Sequence, residues 1–129
     1  MESNAAQSAA SQTSGSALID LSGFKDAAGG DEQEAIELLK LYLEQLDLKM
    51  GQLKVVVEKG DCLQIKLTAH ALAGATATVG LSDFAKTLRD LEQLGAKVQI
   101  ELARELFGKT SQEAVQIKDA IMAELQRPD

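Results

Sequence analysis

The chain has a single histidine, His70, and the residues around it at helical spacing define what its imidazole could do. Cys62, Ile65, Ala69, Leu72, Thr76 and Val79 recur at steps of three and four, the pattern of a helix that buries one stripe. His70 falls just off that stripe. It shares its face with Lys66 one turn before and with Ala73, Gly74 and Ala77 one and two turns after. A glycine inside a helix costs about 1 kcal/mol relative to alanine, so Gly74 suggests clearance beside the imidazole for the backbone of another molecule. If the chain turns back near Gly80, His70 lies ten residues before the turn and Glu92 twelve after it, within about one helical turn of the same level. A carboxylate there would accept Nδ1–H and leave the Nε2 lone pair outward, as a nucleophile requires. Lys66 and Arg89, the latter one turn before Glu92, bring positive charge to the same surface. The alternative is a satisfied histidine at the edge of the core, with a solvated glutamate and two solvated cations. Packing alone would not call for the small-residue face, the glycine or the opposed carboxylate.

Four long helices must position these residues. Residues 18–28 form a short apolar segment, a helical turn or two in which Leu18, Leu21 and Phe24 would cap one end of a bundle before Gly29-Gly30 ends it. Asp31 with Glu34 three residues on makes a capping-box-like start. Ile36, Leu39, Leu43, Leu46, Met50, Leu53 and Val57 then define one helix of about 28 residues, broadened by Leu38, Leu41, Tyr42 and Val56. Gly60 ends it and Asp61 caps the His70 helix, so these two are antiparallel neighbours. Leu81, Phe84, Leu88 and Leu91 mark the next helix, which starts near Ser82 and is closed by Gly95. The last runs from about Val98 to Gln126, with Phe107, Thr110, Ala114, Ile117, Ile121 and Leu125 as its buried line. Without strand-like alternation or an internal repeat, the expected fold is all-α: an antiparallel up-down-up-down four-helix bundle with a short extra N-terminal helix.

Composition narrows the function classes. The net charge of −7 argues against nucleic acid as a partner, since phosphate binding needs a basic patch. The single cysteine, Cys62, excludes an internal disulfide and reads as a small core residue. One His and one Cys eight residues apart on different faces make no metal site, and no glycine-rich nucleotide loop occurs. No apolar run is long enough to span a membrane, and the first residues lack the basic start and apolar core of a secretory signal. Residues 1–17 read as a disordered Ser/Ala-rich segment and residues 18–129 as the helical domain. A free-standing protein with a tail and a module of a longer chain are both open.

His70-Ala71-Leu72-Ala73-Gly74, then Gly80, with Leu88, Leu91 and Glu92 following, resembles the histidine-containing phosphotransfer (HPt) domain pattern over roughly residues 20–126. In that pattern H-x-x-K-G is followed by a glycine six residues on, and a Glu or Gln often stands 22 residues after the histidine. The sequence departs from it at one position, where Ala73 replaces the usual lysine. The resemblance implies a cytoplasmic phosphoryl carrier, not an enzyme, in which His70 accepts a phosphoryl group and returns it to an aspartate. Its partners would be a response-regulator receiver domain and, directly or through one, a sensor histidine kinase. No cofactor is expected on this chain, because Mg²⁺ would belong to the receiver. Glu92 would orient the imidazole, Lys66 or Arg89 would stabilise the phosphoryl group in place of the missing lysine, and Ala73, Gly74 and Ala77 would meet the partner. Two other readings remain: an adaptor that docks receivers without efficient transfer, and a structural bundle that oligomerises through an apolar face.

Overall fold

The structure, a computed structural model, describes residues 19–127. The segment 1–17 expected to be disordered, Leu18 and Pro128 lie outside the described residues. Five helices follow in order: α1 (Ser22–Ala27), α2 (Glu32–Lys59), α3 (Cys62–Thr78), α4 (Ser82–Ala96) and α5 (Ile100–Leu125). α2 packs on α3 and α5, and α4 packs on the same two, so the four long helices form a square with α2 and α4 on one diagonal. Connections of two or three residues make sequential helices antiparallel. The fold is thus the expected all-α bundle with a short helix added at its N-terminus.

Local chemistry sets the helix ends. The Asp31 side chain accepts from the Glu34 N–H at 3.1 Å and that of Asp61 accepts from the Gln64 N–H at 3.2 Å, each satisfying a free donor of a first turn. α2 ends at Gly60 with φ 72°, where the Gly60 and Asp61 amides bond back to Val57 and Val56. Gly80, with φ 82°, ends α3 in the same way. After α4 the equivalent place is taken by Val98 at φ 56°, a left-handed conformation that a β-branched residue tolerates poorly. Arg104 of α5 ties the end of α2 to its neighbour, donating to the carbonyls of Val57 at 3.3 Å and Glu58 at 3.2 Å.

The core is aliphatic. Leu46 and Leu53 of α2, Ile65 and Leu72 of α3, Leu88 and Leu91 of α4 and Ile121 of α5 are fully buried, each contributing about 1.5–3 kcal/mol of burial. Phe24 anchors α1 and meets the Tyr42 ring edge-on at 5.7 Å between centroids. The buried lines differ from expectation in places. Ile36 and Leu41, expected on the apolar face of α2, are 38% and 57% exposed, while Ala35 and Tyr42 are buried with Leu39, Leu46, Leu53 and Val57. The Tyr42 hydroxyl and Thr76 Oγ1 share a buried hydrogen bond of 2.8 Å, which satisfies two groups that could not otherwise be enclosed. Leu43, Met50, Cys62, Phe107 and Leu125 are only half-buried. Gly95 does not terminate α4. It lies one residue inside the helix and is buried, because α3 crosses there too closely for a side chain.

Burial raises the Tyr42 phenol to about 12, with the Thr76 bond opposing in part. An unfolded tyrosine ionises near pH 10, so the stability contributed by this group is intact below that pH and is lost as pH rises from 10 toward 12. Tyr42→Phe should cost about 1–2 kcal/mol at neutral pH by orphaning Thr76. It should also flatten the alkaline decline in stability, as denaturant titrations across that range would measure.

Candidate functional site

His70 and Glu92 stand opposite each other on α3 and α4, with Nδ1 and Oε2 3.0 Å apart. A carboxylate can only accept, so Nδ1 carries the hydrogen and Nε2 of the neutral ring keeps its lone pair. The imidazole is 68% exposed and the glutamate side chain 16% exposed. The covered carboxylate thus holds one edge of a ring whose other edge faces solvent.

The backbones of the two helices fix this meeting. A Cβ built on Gly95 would lie 2.8 Å from the Cys62 carbonyl oxygen and 2.9 Å from the Lys66 nitrogen, closer than real side chains come. Glycine therefore permits the crossing. One turn from it along each helix are Glu92 and His70, so the crossing sets their level. The same register puts Arg89 opposite Ala73, one turn nearer Gly80.

The other expected site residues divide. Gly74 and Ala77 are exposed beside His70, and a Cβ on Gly74 would meet nothing within 4 Å, so packing does not require glycine there. Ala73 corrects the expectation of a partner contact: it is 0% exposed, because α3 turns it toward α4. Lys66 and Arg89 are exposed, and no ion pair engages either among the described residues. Two residues not singled out from the sequence complete the surface. Leu63 and Leu67, seven and three residues before His70, are 60% and 49% exposed. Their signal was a pair of leucines at helical spacing from the histidine, off the buried stripe. With Ala71 they give the imidazole a mostly apolar surround of small and medium side chains. No three His, Cys, Asp or Glu side chains converge as metal ligands would among the described residues. The arrangement suits an accessible nitrogen nucleophile.

The family model for the Hpt domain matches residues 37–127. Among solved structures, the crystal structure of histidine-containing phosphotransfer protein B (HptB) from Pseudomonas aeruginosa PAO1 is similar in fold, with a TM-score of 0.77 and 20% identity, covering 86% of this chain and 96% of that one. No curated protein matches the chain.

Gly74→Ala tests whether this glycine serves folding. With open space around the new methyl group, alanine should stabilise the domain by about 0.5–1 kcal/mol, read as a higher melting temperature. A lower melting temperature would mean that the glycine is kept for packing.

Proposed function

The chain belongs to the Hpt domain family, and on that premise we propose that His70 is its phosphoryl-carrying residue in a two-component phosphorelay. The observation that carries the reading is the 3.0 Å bond from His70 Nδ1 to Glu92, which leaves Nε2 free at an exposed edge. The Nε2 lone pair attacks phosphorus of an aspartyl phosphate on a receiver domain. The P–N bond forms as the P–O bond to the aspartate breaks, and the carboxylate leaves with the bonding electrons. Positive charge develops on the ring as it is phosphorylated, and the bond from Nδ1–H to the Glu92 carboxylate strengthens accordingly. The reverse step returns the phosphoryl group to an aspartate and the lone pair to Nε2.

The chain acts here as a carrier. The receiver supplies the aspartate and Mg²⁺, and a sensor histidine kinase loads the relay directly or through such a receiver. Leu63, Leu67, Ala71, Gly74 and Ala77 form the docking surface, and a cytoplasmic location follows from these partners. No helix among the described residues is long and apolar enough to cross a membrane. Lys66 or Arg89 supplies the positive charge that position 73 lacks, since a buried alanine cannot. That same vacancy of charge favours one second reading, an adaptor that binds receivers but transfers poorly.

The experiment is incubation with a phosphorylated receiver. The chain should acquire acid-labile, base-stable label, and His70→Gln should abolish it with melting nearly unchanged, because the side chain lies outside the core. Receiver binding without label would favour the adaptor, and label retained in the variant would remove His70 from the mechanism.

A further inference from the structure

We infer that the outer face of α2 is a self-association surface, on which two copies of this chain pair antiparallel about Leu48. Leu41, Leu48 and Val55 are 57%, 51% and 47% exposed. Spaced by seven residues, they stay on one side of α2 along its length. Each stands two residues past a buried leucine, Leu39, Leu46 or Leu53, which turns it about 200° away and so nearly straight out from the core. Gly51 lies on the same face between Leu48 and Val55, where a Cβ would meet nothing within 4 Å. An opposing helix can approach closely there, although glycine weakens an isolated helix.

The charge on α2 selects the occupant. Its first part carries Glu34, Glu37 and Glu44 against Lys40, with Glu32 and Asp47 already paired to Lys25 and Lys118 of the same chain, and its last part carries Lys49, Lys54 and Lys59 against Glu58. A parallel copy would set like charges side by side, whereas an antiparallel copy sets the acidic half on the basic half. With Leu48 facing the partner's Leu48, equal distances from the centre bring Leu41 to the partner's Val55 and Glu37 to the partner's Lys59. Within its own chain, Glu37 has only a loose 3.9 Å contact with Lys40. The pairing is two-fold and closes on itself, giving a dimer and not a filament. Because α2 and α4 are diagonal in the bundle, the dimer leaves the side bearing Glu92 open. The proposed pairing uses neither His70 nor Glu92.

Sedimentation velocity of the full chain from micromolar to millimolar concentration tests this. The expected result is a reversible monomer–dimer equilibrium that weakens with added salt. Leu48→Lys should raise the dissociation constant by about tenfold or more while the melting temperature holds, since Leu48 is outside the core. Glu37→Lys should weaken the dimer, and Glu37→Lys combined with Lys59→Glu should restore it. A wild-type chain that stays monomeric throughout, or a Leu48→Lys chain that dimerises like wild type, would overturn the proposal. Failure of the combined variant to recover would overturn the antiparallel pairing.

Discussion

The close approach of α3 and α4 at Gly95 is the constraint on which the site depends. Any side chain at that position would have to displace the backbone of Cys62 or Lys66, and a displaced helix would carry His70 away from Glu92. A hydrogen bond between side chains on separate helices tolerates only a few tenths of an ångström of drift before it weakens. The bond at 3.0 Å thus reports a backbone arrangement that glycine makes possible. A pair of side chains held on two rigid helices is placed more reproducibly than one held on loops.

The opposite side of α3 is held by different means. There Tyr42 and Thr76 bond across the α2–α3 interface in full burial, while Phe24 closes over the tyrosine ring. These contacts fix the rotation of α3 about its axis and hence which residues face out. The rotation turns His70, Gly74 and Ala77 to solvent and Ala73 inward. Core chemistry on one face of the helix therefore determines the make-up of the functional face on the other. Position 73 is buried, so the exposed cations nearest in sequence and register to that face are Lys66 and Arg89.

Much of this was legible in the sequence. The helix order, the caps at Asp31 and Asp61 and the level of Glu92 against His70 followed from spacing, since helical rise and a short turn leave little freedom. What spacing could not give was rotation. Ala73 and Gly74 are adjacent in sequence and were assigned to one face, but a face read from a helical wheel is uncertain by about one residue, and alanine is equally at home inside and out. Ile36 and Leu41 were assigned to the apolar face of α2 and are exposed, whereas Tyr42, assigned to that face as well, is buried, with its hydroxyl satisfied by Thr76, 34 residues away. Gly95 carried the signal of a helix end, and only the neighbouring helix reveals it as a contact. Leu48 and Val55 were visible as apolar residues, with nothing local to say that they, like Leu41, point outward.

The central claim is that Glu92 holds the hydrogen of His70 on Nδ1 and so makes Nε2 the nucleophile. Long-range ¹H–¹⁵N correlation on the ring-labelled protein, at a pH where the imidazole is neutral, measures this directly because the protonated and unprotonated ring nitrogens differ widely in shift. The account predicts a protonated Nδ1 and an unprotonated Nε2, with that preference lost in Glu92→Ala. A ring protonated on Nε2 in the wild-type chain would contradict it.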